Sequence, residues 1–235
     1  MPTNKPLRFL VTNDDGIDSP GLAALEAALP ESAESIVVAP AEEQSGCSHQ
    51  VTTAQGFRAL RCAQGRFAVN GSPADCIRIA VHSFRTNFDW VLAGINHGAN
   101  LGADIYYSGT VAAAREAALH GIPAIALSHY RDRVLSPQDW RRATSWARRL
   151  IPRLIDRPLN QGEYWNVNLP SLAPGPADPE MVDCEVDTSP LPLVFAVDGD
   201  CYHYAGRYHR RGRQGGRDVE ICFGGKIAVS LLTLP

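Results

Sequence analysis

The sequence lacks the features that define several classes of protein. It contains no run of about 18 apolar residues, so it predicts no membrane-spanning helix. Residues 1–10 hold no long apolar stretch, so we expect no secretory signal. None of the six cysteines lies in a Cys-x-x-Cys pair, which argues against a zinc ribbon and a dense disulfide framework. We therefore expect a cytoplasmic protein with reduced thiols.

The chain also lacks an excess of charge of either sign. Its 22 lysines and arginines nearly balance 25 aspartates and glutamates, and the formal net charge is −3. Because nucleic-acid binders need a basic field, we expect no nucleic-acid duplex as a partner. The sequence has no GxxxxGK[ST] motif, and no GxGxxG follows its first apolar run. It therefore predicts neither a P-loop nor an NAD-dependent dehydrogenase.

Short apolar runs alternate with helical segments through the first 170 residues. The predicted strands are 7–12, 35–39, 89–93, 123–127 and 164–168, and the predicted helices follow Ser19, Ser72, Tyr107 and Ser136. Residues 50–70 alternate weakly and predict a hairpin or an excursion. Strands that alternate with helices indicate an α/β fold with a parallel sheet and helices on both faces.

The pattern changes after a proline-rich linker at residues 171–179. Four further strands are predicted at 193–197, 201–204, 219–223 and 227–232, with no helix between them. We therefore expect one domain over 1–235, with a core at 1–170 and a C-terminal β arm at 185–235. Five arginines cluster in this arm, at positions 207, 210, 211, 213 and 217. The cluster favours a solvated hairpin tip, and the alternative is an arm that meets a polyanionic substrate or a partner subunit.

Four polar clusters follow predicted strands. They are Asn13-Asp14-Asp15, Ser45-Gly46, Gly94-Ile95-Asn96 and Ser108-Gly109-Thr110. In an open parallel sheet, ligands bind at the carboxyl ends of the strands, so we expect the clusters to lie at one edge of the sheet.

The adjacent carboxylates of Asp14 and Asp15 would repel each other in a crevice and would be costly to desolvate. A hard divalent cation such as Mg²⁺, Mn²⁺ or Ca²⁺ resolves that conflict. The alternative is a solvated Asp-Asp-Gly turn. Asn96 offers an amide oxygen of the same ligand type, although an asparagine in a glycine-rich loop is also a common turn residue.

The segment from Tyr107 to Val111 enters a helix through a glycine. Glycine lets the backbone approach a ligand, and the free N–H groups at a helix start favour an anion. The segment therefore predicts a phosphate cradle, and an ordinary N-cap is the alternative. Ser45 carries little information by itself. Among the seven histidines, only His97 is expected near the site, because it adjoins Asn96.

Together, four stretches of the sequence resemble the SurE family, also called survival protein E, whose members are metal-dependent phosphatases acting on nucleoside monophosphates. The stretches are 10–22, 38–46, 69–76 and 94–114. Residues 218–232 also resemble the terminal strands of the family. The match covers most of the chain in order, and its first and fourth stretches are the specific ones.

The resemblance implies a Rossmann-like three-layer α/β/α sandwich and a C-terminal arm exchanged within a homodimer, with a tetramer as an alternative. It implies hydrolysis of nucleoside 5'-monophosphates to nucleoside and phosphate, with water attacking by default and a carboxylate as the alternative. One divalent ion, Mg²⁺ or Mn²⁺, would be held by Asp14, Asp15, Ser45 and Asn96. The implied catalytic residues are Asp14, Asp15 and Asn96, and the implied substrate-binding residues are Asn13, Ser45, Gly46, Ser108, Gly109 and Thr110.

The sequence departs from the family pattern at two places near this site. The loop before Ser45 is usually basic in the family and here contains Glu42 and Glu43, which should weaken the attraction for a dianion. Residues 97–99 stand where the family more often has a small residue and a proline. Two alternatives therefore stay open: a phosphatase for a non-nucleotide ester, and a weakly active module that binds metal and nucleotide. A haloacid-dehalogenase-type phosphatase is disfavoured because the acidic pair is adjacent rather than Asp-x-Asp.

Overall fold

A nine-stranded sheet forms the centre of the protein, in a computed structural model that describes residues 5–84, 87–173, 175 and 178–234. The spatial order of its strands is β3-β4-β2-β1-β5-β6-β7-β11-β8. Their bounds are Arg8–Thr12 (β1), Glu34–Pro40 (β2), Ala59–Ala63 (β3), Arg66–Val69 (β4), Trp90–Asn96 (β5), Ala124–His129 (β6), Glu163–Leu169 (β7), Met181–Asp183 (β8) and Ile227–Thr233 (β11).

The sheet is parallel at its centre and mixed at its edges. Strands β4, β2, β1, β5, β6 and β7 run parallel, whereas β3 pairs antiparallel with β4 and β11 pairs antiparallel with β7. From β1 the chain builds outward through β2 and then returns to place β5 on the other side of β1. The topological switch point, where open sheets bind their ligands, therefore lies between β1 and β5.

Helices cover both faces of this sheet. Their bounds are Pro20–Glu26 (α1), Pro73–Phe84 (α2), Gly109–Leu119 (α3), Pro137–Ile155 (α4) and Asp218–Phe223 (α5). Buried side chains of α1 and α4 pack on one face of the sheet, and those of α2 and α3 pack on the other. The arrangement confirms the predicted three-layer α/β/α sandwich.

Serine hydroxyl groups cap the starts of three helices, α1, α2 and α4, as the Ser-Pro pattern predicts. Ser19 and Ser136 accept hydrogen bonds from Leu22 N and Asp139 N. Ser72 accepts from Asp75 N in the same way. A serine at the N-cap satisfies a backbone donor that the helix cannot pair, and proline next to it fixes the first helical turn. The predicted hairpin at residues 50–70 is also present, as β3 and β4.

The C-terminal region departs from the sequence prediction at β8, a short strand that was not expected, and at residues 219–223. Residues 219–223 were expected to form a strand, and they form most of the helix α5 instead. That prediction is wrong because an apolar run of five residues fits a strand and a buried helical turn equally well. Acidic residues at 218 and 220 in the first turn and glycines at 224 and 225 beyond the last turn were the signals for a helix.

A separate two-stranded hairpin projects from this region. It consists of Phe195–Asp198 (β9) and Cys201–Tyr204 (β10), and every residue of both strands is exposed. The arginine cluster lies after the hairpin rather than at its tip. Arg211 is buried and donates to Asp104 Oδ2 at 2.6 Å, so the prediction of a solvated cluster is wrong for this residue.

Two predictions concern segments that the structure covers only in part. Residues 174, 176 and 177 of the proline-rich linker lie outside the described residues, as do residues 1–4 at the start of the chain. Across the described ranges, no helix combines the length and the apolar character needed to cross a membrane.

Candidate active site

Three chain segments meet at the switch point between β1 and β5. Asp14 and Asp15 directly follow β1, Asn96 ends β5, and α3 begins at Gly109. The carboxyl ends of parallel strands share one edge of a sheet, which is why residues more than 80 positions apart come together here. The acidic pair, Asn96 and the glycine-rich start of α3, all predicted as site residues, therefore lie in one crevice.

Asp14 is held by the first turn of α3. Its side chain is buried, with 3% of the residue exposed. Thr110 N donates to Asp14 Oδ2 at 3.2 Å, and the Thr110 hydroxyl donates to Asp14 Oδ1. A Cβ added at Gly109 would lie 2.9 Å from Asp14 Cβ and 3.0 Å from Cys47 Sγ. Glycine at this position is thus required for the helix start to approach the carboxylate so closely.

Burial, followed by the charge of a nearby carboxylate, raises the pKa of both aspartates, and that carboxylate is Asp15 for Asp14 and Glu43 for Asp15. Burial, reinforced by the charge of Asp15, raises the pKa of Asp14 to about 6. Burial also raises the pKa of Asp15, against a hydrogen bond that His97 N donates to Asp15 Oδ2 at 3.0 Å. The charge of Arg131 further opposes this rise in the pKa of Asp15. The pair therefore favours a proton or another cation in this crevice.

Asn13 ties the turn after β1 to the start of α1. Its amide nitrogen donates to Gly16 O at 2.9 Å and to Ser19 Oγ at 2.7 Å. Its amide oxygen is buried without a hydrogen-bond partner among the described residues, as is the hydroxyl oxygen of Thr12. Buried acceptors are normally satisfied, so an unpartnered oxygen beside two aspartates is a feature of a binding site.

The loop that carries Ser45 is attached to the acidic pair through its backbone. Gln44 N donates to Asp14 O at 2.7 Å, and Gly46 takes the left-handed conformation, with φ of 73°, that glycine allows. The Ser45 hydroxyl is exposed and donates to Glu43 Oε1 at 2.6 Å. Within the described part of the chain, no hydrogen bond joins Ser45 to either aspartate.

Asn96 lies at the carboxyl end of β5, beside the residue that contacts Asp15. Its amide nitrogen donates to Gly98 O at 2.8 Å, which orients the side chain within its own loop. Ser108 has a structural task as well, because its hydroxyl caps α3 by accepting from Val111 N at 3.0 Å. The hydroxyls of Ser108 and Thr110 are therefore both engaged within the protein, by α3 and by Asp14 respectively.

Two residues of this region were not predicted from the sequence. Cys47 lies against Asp14 and Gly109, and burial followed by the charge of Asp14 raises the pKa of its thiol to about 11. It is therefore protonated and a poor nucleophile at neutral pH. Arg131 follows β6, the strand next to β5, and acts on Asp15 through its charge. A search for basic residues in the loops that follow the predicted strands would have found Arg131, whereas nothing in the sequence marks Cys47.

The donor set at this edge fits a hard divalent cation. Among the residues that the structure describes, no three His, Cys, Asp or Glu side chains come together as metal ligands. An ion beside Asp14 and Asp15 would therefore also need amide, hydroxyl or backbone oxygens. Asn96, Ser45 and the unpartnered oxygen of Asn13 are candidates of that type, and such oxygen-rich sets suit Mg²⁺ or Mn²⁺.

The fold and the position of Asp14 and Asp15 define a Rossmann-like α/β protein with an acidic pair at the switch point of its sheet. Comparison with known proteins identifies its family. The chain belongs to the SurE family, because the family model described as survival protein SurE matches residues 9–186. The resemblance stated from the sequence is thereby confirmed.

Individual relatives extend this match along the whole chain. A protein from Nostoc sp. (strain PCC 7120), named provisionally as a 5'-nucleotidase, is 48% identical over 96% of this chain and 99% of its own length. The 5'-nucleotidase SurE of Citrifermentans bemidjiense is 42% identical, over 76% of this chain and 72% of its own. The crystal structure of the SurE protein from Aquifex aeolicus superposes with a TM-score of 0.84 at 28% identity, over 97% of this chain and 94% of that one.

Proposed function

We propose that this protein is a phosphomonoesterase that depends on a divalent metal and hydrolyses nucleoside 5'-monophosphates to nucleoside and phosphate. The observation that carries the proposal is the acidic pair at the switch point, where the buried carboxylate of Asp14 accepts hydrogen bonds only from Thr110 among the described residues. Relatives that are 42% to 48% identical and bear 5'-nucleotidase names support the choice of reaction and substrate.

In this proposal Asp14 and Asp15 hold one Mg²⁺ or Mn²⁺ ion, with Ser45 and Asn96 as further ligands. When bound, such an ion polarises the phosphoryl oxygen and offsets the negative charge that develops during hydrolysis. The role of Thr110 is to fix the orientation of Asp14, through both its backbone N–H and its hydroxyl. A carboxylate held by two donors keeps its geometry when an ion and a substrate arrive.

The start of α3 contributes the other half of the proposed site. Thr110 N donates to Asp14 and Val111 N donates to Ser108, so Gly109 N is the first-turn donor without a hydrogen-bond partner among the described residues. This donor and the positive end of the helix dipole favour an anion, and the absence of a side chain at Gly109 lets a phosphate come close to the backbone. The Thr110 hydroxyl already donates to Asp14, whereas the Ser108 hydroxyl accepts from Val111 N and keeps its own proton for another acceptor. We therefore assign phosphate binding at this end to Gly109 N and the Ser108 hydroxyl. The attacking group is water in the default form of the proposal, and attack by a carboxylate would give a phospho-enzyme.

Phosphate release from a panel of esters tests this function. The panel contains nucleoside monophosphates and p-nitrophenyl phosphate, each with Mg²⁺, with Mn²⁺ and with EDTA. We expect metal-dependent release that EDTA abolishes, with nucleoside monophosphates preferred. Preference for a non-nucleotide ester would contradict the substrate assignment. Tight nucleotide binding without release would instead favour the weakly active binding module that Glu42 and Glu43 suggest.

We also propose that the exposed hairpin of β9 and β10 contacts a second copy of the chain. Its large apolar side chains are open to solvent, with Val197 60% exposed and Tyr202 70% exposed. An unpaired hairpin with apolar side chains needs a covering surface. Light scattering coupled to size exclusion should give the mass of a dimer or a tetramer, and a monomer at micromolar concentration would contradict this.

A further inference from the structure

Two cavities share His97 in their walls, and the backbone N–H of His97 donates to Asp15. One has a volume of about 470 Å³ and lies between the turn after β1 and the loop at residues 41–43. The other has a volume of about 490 Å³ and is formed by residues 97–99, 130–134 and 208–209. Both are large enough for a small organic ligand. A phosphate ester that reacts at Asp14 and Asp15 could therefore extend its leaving group to either side.

The charges of the two cavities are opposite. The first is lined by four acidic residues and by no lysine or arginine; the acidic residues are Asp15, Asp18, Glu42 and Glu43. The second is lined by Arg131, Arg133 and two histidines, against one aspartate. A phosphate monoester is an anion, so its entry through the first cavity is electrostatically unfavourable and its entry through the second is favourable.

Arg131 is the available cation of the second cavity. Arg133 is committed elsewhere, because its guanidinium donates to both carboxylate oxygens of Asp139, at 2.7 and 2.8 Å. Arg131 is exposed, and it makes no hydrogen bond or ion pair among the residues that the structure describes. Its charge reaches the acidic pair, since it acts to lower the pKa of Asp15. An unpaired guanidinium at this position can bind phosphate oxygens.

Aromatic side chains form the far wall of the same cavity, and other contacts hold them in place. The Tyr130 ring stacks on Phe223 with centroids 4.5 Å apart, and the Tyr130 hydroxyl is 2.7 Å from His209 Nδ1. The Tyr208 hydroxyl donates to Asp104 Oδ2 at 2.7 Å.

The segment that supplies Tyr208 and His209 is anchored to the loop before α3. Arg211, two residues after His209, is buried and donates to the same Asp104 oxygen as Tyr208. Arg211 of the C-terminal arginine cluster thus holds this aromatic wall in place.

We propose that the nucleoside part of the substrate lies in the cavity between His97 and His209, and that Arg131 is a specificity-determining residue that pairs with the phosphate. The acidic cavity beside Glu42 stays free of substrate. This inference rests on the proposed nucleotidase function, and it adds which side of Asp15 the substrate occupies and which residues select it.

Arg131→Gln tests the phosphate contact, with Arg153→Gln as a matched loss of charge on α4. Arg153 is exposed and makes no ion pair in the described structure. We expect KM for adenosine 5'-monophosphate to rise about 10-fold or more in Arg131→Gln, as for the loss of a hydrogen bond to a charged group. Arg153→Gln and Glu42→Gln should leave KM unchanged or, for Glu42→Gln, lower it. An unchanged KM in Arg131→Gln, or an equal rise in Glu42→Gln, would overturn the inference.

His209→Ala tests the position of the nucleoside, with His82→Ala at an exposed position of α2 as its control. Calorimetric titration of the Mn²⁺-loaded chain compares adenosine 5'-monophosphate with inorganic phosphate. We expect His209→Ala to weaken binding of the nucleotide and to leave binding of phosphate unchanged, whereas Arg131→Gln weakens both. Nucleotide binding unaffected by His209→Ala would overturn the placement. Since binding is measured directly, a wild-type chain that releases no phosphate would contradict the proposed function and still leave this test decisive.

Discussion

Asp14 and Asp139 are both buried beside the start of a helix, but only Asp139 forms an ion pair with an arginine. Asp139 begins α4, where it accepts hydrogen bonds from Ser136 and from both terminal nitrogens of Arg133. Asp14 faces the start of α3, where Thr110 is its hydrogen-bond donor. Both residues are 3% exposed. Only one of them has an arginine.

That arginine reverses the direction of the pKa shift. Hydrogen bonding to Arg133 holds the pKa of Asp139 well below its usual range, whereas burial and Asp15 raise the pKa of Asp14 to about 6. Asp139 therefore stabilises the fold as it stands. Asp14 costs free energy until a cation joins it, which is typical of a residue retained for function.

The largest effect should come from Asp14→Asn. The amide keeps the shape of the side chain and can still accept from Thr110, but it removes the charge that holds a cation. We expect phosphate release from adenosine 5'-monophosphate to fall by about 100-fold or more, as for the loss of a main electrostatic contribution. Asp139→Asn is the matched control and should keep the wild-type turnover. A rate close to that of the wild type in Asp14→Asn would contradict the proposed role of the pair.

A smaller loss of activity should follow removal of the Thr110 hydroxyl. Thr110→Val takes away the donor to Asp14 Oδ1 and leaves the side-chain volume nearly unchanged. We expect turnover to fall by about 10-fold, since residues that orient a metal ligand typically contribute 10- to 100-fold. Thr110→Ser should restore most of the rate because it restores the hydroxyl. Equal rates in the valine and serine variants would mean that the hydroxyl does not position Asp14.

The two substitutions should have the opposite order of effect on stability, with Asp139→Asn destabilising the fold and Asp14→Asn not doing so. We expect Asp139→Asn to lower the free energy of unfolding by about 1–2 kcal/mol, because it weakens charge-assisted hydrogen bonds and a helix cap. In EDTA, Asp14→Asn should be neutral or stabilising, since it replaces a buried charge that has no countercharge. Urea unfolding followed by circular dichroism measures both values. A similar loss of stability in the two variants would remove the distinction drawn here.

The contributions of Asp14 and Asp139 to stability should also change with pH in opposite directions. This difference is the smallest of the expected effects. A carboxyl with a raised pKa contributes stability below its unfolded pKa and loses that contribution as pH rises through the folded pKa of about 6. The stabilisation of metal-free Asp14→Asn relative to the wild type should therefore shrink between about pH 7 and about pH 4. For Asp139 the contribution is present above an unfolded pKa of about 3.9 and is lost below it. Opposite trends in the two unfolding series would contradict these assignments.

Local sequence patterns were enough to predict the three α/β/α layers and the edge of the sheet that carries the candidate site. Apolar runs followed by Ser-Pro mark the strands and helix starts, and alternation of the two implies the parallel sheet and places Asp14 and Asn96 at one edge. The helix α5 could not be predicted from periodicity, because residues 219–223 form a run too short to show any period.

Side-chain partners at the site depend on tertiary contacts that no local pattern encodes. The glycine-rich stretch predicted a phosphate cradle, yet nothing in it shows that the Thr110 hydroxyl turns to Asp14, 96 residues earlier. The burial of Arg211 likewise depends on Asp104, a partner 107 positions away. An arginine-rich stretch by itself looks like a solvated surface.

The most direct test of this account is calorimetric titration of Mn²⁺ into EDTA-treated chain, with Asp14→Asn and Asp139→Asn measured alongside the wild type. We expect the wild type to bind a single Mn²⁺ per chain, Asp139→Asn to bind it with the same affinity, and Asp14→Asn to lose it. Failure of the wild type to bind Mn²⁺, or undiminished binding in Asp14→Asn, would contradict the claim that the acidic pair between β1 and α3 is a cation site.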